Sequence, residues 1–336
     1  MLYDITRETR VPLVGNIYFG VIDRGTNLLQ IRASNSCNLN CSFCSVDAGP
    51  ESKTRINHFQ VEMDYLLEVV EKIVKYKGIN DVECHLDSTG EPLFYPRIIE
   101  LAEKLKKIPG VKTTSLQTNG TLLTKEKIKR FESAGLDRIN LSMNSMNPEL
   151  AKEISGVGWY DIEKIKDSAE EIVKSEIDLL VAPVYLPRIN DDEIPKIIEF
   201  ALDVGAGKRF PPLGIQKFER YKFGRKPSGI KIQTWWKFYN DYLKKLEKKY
   251  NTKLILRPED FGIYKVKPLP KTMKKNEKVN VELMCPGWIN NEMLGVARGR
   301  TVSIVNCNKK SGNINVKIVS NKHNIYLGVP SKSFSF

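Results

Sequence analysis

The chain predicts an α/β fold, a partial (β/α)6 barrel followed by a small all-β barrel of OB-like build. Three observations carry this. Six β-like runs alternate with helix-like stretches between Leu28 and Tyr250, the rhythm of a parallel sheet with helices outside. No Gly-rich dinucleotide fingerprint follows any run, which disfavours an open doubly wound sheet. Beyond residue 275 the chain changes to short β-like segments separated by turn residues, as in a small closed barrel.

The elements follow in order. Residues 1–24 form an N-terminal segment. The six strands are "LLQIRA" (28–33), "VECHLD" (82–87), "KTTSLQT" (112–118), "RINLSM" (138–143), "DLLVAPV" (178–184) and "LGIQK" (213–217). Apolar residues recur at helical spacing over 61–76, 95–108, 125–135, 160–175 and 191–205, with a sixth helix over 233–250. Thr124 is placed to cap the third helix, and Asn190 and Asp191 begin the fifth. The α/β region therefore spans 25–265. "KVKPLPKTMKK" reads as punctuation, with a linker over 266–275. The barrel covers 276–332, from the runs "KVNVELM", "MLGVARG", "RTVSIVNC", "NINVKIV" and "NIYLGVP".

Composition sets the class. Of 336 residues 41% are hydrophobic and 28% charged, which fits a globular chain and excludes disorder. No apolar run reaches the roughly 20 residues that cross a bilayer. The N-terminus "MLYDITRETRVPLVG" carries no secretory h-region. The expectation is a protein of the reducing cytoplasm, away from membranes, where clustered cysteines hold metal more often than they form disulfides. The net charge is +13. From Lys265 to Phe336 thirteen Lys or Arg stand against three acids, a net +10 that leaves +3 for everything before. A tail so biased points to a polyanionic partner, beside the plainer reading of a solvated surface.

In a barrel, chemistry gathers on the loops after the strands. The first such loop reads "SNSCNLNCSFCSVDAGP" and holds Cys37, Cys41 and Cys44. Three thiolates on one short loop converge on one inorganic centre. Structural zinc takes four closed ligands, usually as two separated pairs. Here no second pair exists, and Cys84, Cys285 and Cys307 are scattered. A [4Fe–4S] cluster held by three cysteines keeps one iron open.

Cys37-x3-Cys41-x2-Cys44, with Phe43 before the last cysteine, resembles the cluster motif of the radical S-adenosylmethionine (SAM) superfamily. The resemblance covers roughly residues 25 to 230. It implies a [4Fe–4S] cluster whose open iron is chelated by the amino and carboxylate groups of SAM. It also implies an electron donor such as a ferredoxin or flavodoxin, and cleavage of the sulfonium to methionine and a 5′-deoxyadenosyl radical. "DSTGEPLFYP" resembles the family's GGEP motif, with Thr89 in place of the first glycine. Thr89, Gly90, Glu91 and Pro92 are then contacts to the SAM amino group. "QTNGTLLT" resembles the TNG that lines the pocket, through Asn119, with Gln117 beside it. In "INLSMNS", Ser142 and Asn144 are implied at the SAM ribose or carboxylate.

"KFERYKFGRKP" interleaves Lys217, Arg220, Lys222, Arg225 and Lys226 with Phe218, Tyr221 and Phe223. Cations suit phosphates and aromatics suit bases; a solvated loop covering the barrel end is the plainer alternative. The basic tail resembles a TRAM domain, an RNA-binding β-barrel, with Arg298, Arg300, Lys309 and Lys310 as phosphate contacts. Together these imply a radical SAM enzyme that modifies an RNA, with tRNA foremost. Two alternatives stand beside it. One is radical SAM chemistry on a small molecule, lipid or protein. The other is a non-catalytic, metal-bearing RNA-binding protein.

Overall fold

The computed structural model describes residues 1–331. Contacts divide the chain into two units. One holds Met1–Ser36, Ser52–Thr113 and the chain from Lys265 onward; the other holds Cys37–Glu51 and Thr114–Tyr264. Lys332, the expected end of the barrel, lies outside the described residues.

In the first unit the strand Leu28–Arg32 runs parallel to Val82–Leu86, through the crossover helix Met63–Lys77. That helix buries Met63, Leu66, Val70, Ile73 and Val74, the stripe its spacing predicts, and ends at a left-handed Gly78. The sequence did not single out Gly20–Asp23, which lies antiparallel to Leu28–Arg32. All four of its residues are buried, so it carries no alternation to read. Nor did it mark Leu2–Ile5, paired with His58–Val61.

The tail of this unit is a closed five-stranded barrel. Lys278–Pro286 pairs with Glu292–Ala297, then Arg300–Val305, then Leu327–Pro330, then Gly312–Ser320, which returns to the first strand. Along Lys278–Leu283 exposure alternates, so Val279, Val281 and Leu283 enter a core with Met293, Val302, Ile304, Val316, Ile318 and Tyr326. Cys307 sits in this core and Cys84 is buried in its strand. Residues 266–275, read as a linker, are pinned in place. The Leu269 N–H donates to Asp23 Oδ2 at 2.7 Å, and the Thr272 N–H to the Tyr326 hydroxyl at 3.0 Å. The N-terminal segment also packs here: Thr301 N–H donates to Val14 O, Tyr326 N–H to Gly15 O, and the Tyr18 hydroxyl bonds Glu292.

In the second unit the end of the strand Val111–Thr118, from Ser115, then Arg138–Leu141 and Asp178–Val181 run parallel in order. Leu213 bridges Val181, and Gln216–Lys217 pairs with Val184–Tyr185. Helices Lys125–Ser133, Ile162–Lys174 and Glu193–Asp203 follow the predicted spans, and Thr124 caps the first by accepting from Lys127 N–H. A further helix, Pro148–Ser155, was missed, although Asn147 caps it, proline opens it and Gly156 closes it. The final helix, Trp235–Tyr250, is interrupted by a π segment at Phe238–Leu243.

Candidate cluster and cofactor site

The second unit carries the three cysteines. All are free thiols and half-buried. The loop that bears them has no regular structure of its own, so its backbone groups must find partners elsewhere. Asn40 N–H donates to Ser155 O at 3.0 Å and Ser42 N–H to Ile154 O at 2.9 Å. These carbonyls are the open end of the helix Pro148–Ser155, which the loop therefore completes. Gly156 is required at that joint: a Cβ there would lie 2.2 Å from Asn40 O. Phe43 packs against a cluster of Ile154, Leu186, Phe218 and Ile230.

Arg225 closes the other side of the loop. Its N–H donates to Cys44 O at 2.8 Å. Its guanidinium donates to Cys41 O at 3.2 Å, Ala48 O at 2.8 Å and Asp47 Oδ1 at 2.7 Å. Burial, then the neighbouring Cys37 and Cys44, push the Cys41 thiol up, while Arg225 opposes the shift. Like-charge neighbours that raise a thiol in this way are relieved by a bound cation. Among the described residues no three His, Cys, Asp or Glu side chains converge on a point that would hold one metal ion. Three thiol donors on one short loop are a donor set that suits an iron–sulfur cluster.

The other second-unit candidates divide. Asn119, expected to line the cofactor pocket, makes contacts within its own unit. Its Nδ2 donates to Asn38 Oδ1 at 3.0 Å, and its Oδ1 accepts from Thr121 N–H and Oγ1. It braces the cysteine loop through Asn38. Ser142 Oγ accepts from Gln117 Nε2 at 3.1 Å and keeps its own hydrogen. Asn144 Oδ1 accepts from Val184 N–H, while its Nδ2 has no partner among the described residues. Glu193 holds this strand end by accepting from Ser145 Oγ and the Met146 and Asn147 amides. Burial opposes ionisation of Glu193, but Lys196 and those donors win and bring it down to about 2.

The first unit carries "DSTGEP". Asp87 is clamped by Arg32 at 2.6 Å. Burial alone would raise its pKa, yet Arg32, then His85, hold it below the usual carboxylate value. Ser88 Oγ donates to Ser34 O and Glu91 N–H to Ser36 O. Gly90 lies so close that a Cβ would stand 2.2 Å from Ser36 O, which is why only glycine serves there. Glu91 Oε1 accepts from Leu93 N–H and caps the short turn Pro92–Phe94. Thr89 Oγ1, Ser34 Oγ and Asn35 Nδ2 are buried with no hydrogen-bond partner in the described structure. Buried polar atoms are seldom left so, and these three fit a polar ligand such as an amino acid head group.

The expected nucleic-acid contacts also divide. Lys217 and Arg225 have internal partners. Lys217 is buried, 2.7 Å from Glu219 and bonded to Phe218 O and Gln233 O, and Arg225 is spent on the cysteine loop. Arg298 pairs with Glu277 at 2.6 Å, Arg300 donates to Gly299 O and Pro270 O, and Lys309 donates to Asn313 O. Arg220, Lys222, Lys226 and Lys310 are exposed.

Residues 31–201 match the model of the radical SAM superfamily, and the chain belongs to that superfamily. Its cofactors are accordingly a [4Fe–4S] cluster and SAM. The chain is 42% identical over 337 residues to uncharacterized protein MJ0103 of Methanocaldococcus jannaschii, covering 94% of this chain and 78% of that protein. It is 32% identical over 193 residues to the GTP 3′,8-cyclase of Alkaliphilus metalliredigens, and spans 56% of that enzyme's length and of its own. Among solved structures it resembles Streptococcus suis SuiB bound to S-adenosylmethionine, with a TM-score of 0.50 at 18% identity over 68% of this chain and 48% of that one. That likeness is one of fold. Among the described residues no helix is long and apolar enough to cross a membrane.

Proposed function

We propose that the protein is a cytoplasmic radical SAM enzyme that modifies an RNA, with tRNA the first substrate to test. One observation carries the choice of substrate. On the outer face of the barrel, Lys278 stands directly opposite Lys317 in register, and Asn280 opposite Asn315. All four are exposed, and so are Lys271, Lys274 and Lys275 just before the strand. Like charges placed directly across a strand pair are destabilising, and a phosphate backbone that neutralises them removes that cost. A closed five-stranded barrel with this charge supports the TRAM-like reading.

In this reading Cys37, Cys41 and Cys44 hold the cluster and leave one iron for SAM. Bound together, the two cofactors supply one-electron cleavage of a sulfonium C–S bond and hydrogen-atom abstraction. The chain's own residues do the rest. Arg225 and Asn119 keep the cysteine loop in one shape. In the first unit Thr89 and Ser34 hydroxyls suit an ammonium, Asn35 Nδ2 suits a carboxylate, and Gly90 and Glu91 set the loop that presents them. In the second unit the Ser142 hydroxyl and Asn144 Nδ2 offer donors to a ribose or carboxylate. The electron comes from a partner such as a ferredoxin or flavodoxin.

A second reading, action on a free nucleotide, is favoured by the 32% identity to a GTP 3′,8-cyclase. Mass spectrometry of tRNA nucleosides from cells lacking the gene separates the two. A missing modified nucleoside is expected; an unchanged profile would overturn the RNA substrate.

A further inference from the structure

The second unit contains a cavity of about 410 Å³, within the range of small-molecule sites. One wall is aromatic: Trp235, Phe238, Tyr239 and Tyr221 line it. Trp235 and Tyr239 stack at 5.4 Å, and the Lys217 ammonium lies 4.9 Å from the Trp235 ring centre. Phe238, Tyr239 and Leu243 all come from the π segment, a deformation found mostly at functional positions.

The lining also has polar groups. Gln117 and Asn140 are register partners on neighbouring parallel strands, and both line the cavity. Each amide makes one bond to its own sheet, that of Asn140 to a guanidinium that can only donate. Gln117 Nε2 donates to Ser142 Oγ at 3.1 Å, so its Oε1 is turned away from that contact. Asn140 Oδ1 accepts from Arg138 Nε at 2.9 Å, so its Nδ2 is turned away likewise. Neither Gln117 Oε1 nor Asn140 Nδ2 has a partner among the described residues. An acceptor beside a donor complements a ring edge with a donor beside an acceptor. Such an edge is the lactam of guanine or uracil, or the amidine of adenine or cytosine.

We propose that this cavity receives a nucleobase, stacked on the aromatic wall and held by its hydrogen-bonding edge against Gln117 and Asn140. The loop that supplies Tyr221 and Glu219 to the cavity also supplies Arg225 to the cysteine loop. The inference rests on the RNA reading for what delivers the base: a nucleotide extruded from its stack.

Equilibrium dialysis tests it. The reconstituted full chain, saturated with SAM so that its adenosine site is filled, is dialysed against guanosine, adenosine, uridine, cytidine and phenyl riboside. At least one nucleoside should bind, and phenyl riboside, which has the ring but no polar edge, at least about tenfold more weakly. Asn140→Asp keeps the acceptor for Arg138 and removes the donor; it should weaken binding about tenfold, as should Gln117→Leu and Trp235→Ala. Iron content, unchanged in these variants, reports folding. Equal binding of phenyl riboside, no nucleoside binding, or variants that bind as the wild type would overturn the inference. tRNA binding measured alongside separates the readings. Intact tRNA modification by Asn140→Asp and Gln117→Leu would sink the cavity assignment alone. Nucleoside binding by a chain that ignores tRNA would sink the RNA reading alone.

Discussion

Arg225 makes four hydrogen bonds to the segment Cys41–Ala48 and brings the one cation seen to lower the Cys41 pKa. A planar guanidinium can reach two carbonyls and a carboxylate at once, which an ammonium cannot. Arg225→Lys should therefore leave a folded protein whose cluster is lost to a chelator roughly tenfold faster, the usual size of an outer-shell effect. Absorbance at the cluster band follows the loss, and an unaltered rate would remove Arg225 from this role. Glu193 makes a second prediction. Its folded pKa of about 2 lies below the unfolded value of about 4.3. The stabilisation is thus complete above about pH 4.3 and is lost as pH falls toward 2. Glu193→Gln should cost on the order of 2–3 kcal/mol at pH 7 and progressively less below pH 4, read from urea unfolding at several pH values. A constant difference across pH would contradict it.

Among elements, the strand pair and the supposed linker carry the next predictions. Lys77 and Asp23 form a fully buried ion pair at 2.9 Å, and Asp23 also accepts from Leu269 N–H. Asp23→Asn leaves the Lys77 charge without its counter-ion, which should cost about 3–5 kcal/mol, measured by denaturant unfolding. A loss under about 1 kcal/mol would show the pair to be dispensable. On the barrel, Lys278→Ser with Lys317→Ser should keep the fold and lower the salt slope of tRNA binding by about 2. Deleting the barrel is a poorer test, because Tyr18 and Thr301 bind it to the N-terminal segment within one unit. Long amphipathic helices and alternating barrel strands were legible because burial imposes a period on the sequence. The helix Pro148–Ser155 had its caps in view, yet at two turns it offered too little periodicity. Gly20–Asp23 is buried on both faces and has no period at all. The contacts of Asn119 and Arg225 were not legible because their partners lie 81 and 184 residues away. The cysteine triplet was legible since metal ligation demands close sequence spacing.

For the whole molecule, the superfamily and its cofactors rest on a family match across half the chain, while the substrate rests on charge and cavity chemistry. The central claim is that three cysteines hold a cluster with one iron left for SAM. The most direct test is to quantify 5′-deoxyadenosine and methionine released by the anaerobically reconstituted, reduced chain given SAM. The account predicts equimolar release, abolished by Cys37→Ala, Cys41→Ala or Cys44→Ala. A chain that carries a full complement of iron and sulfide yet releases neither product would contradict it.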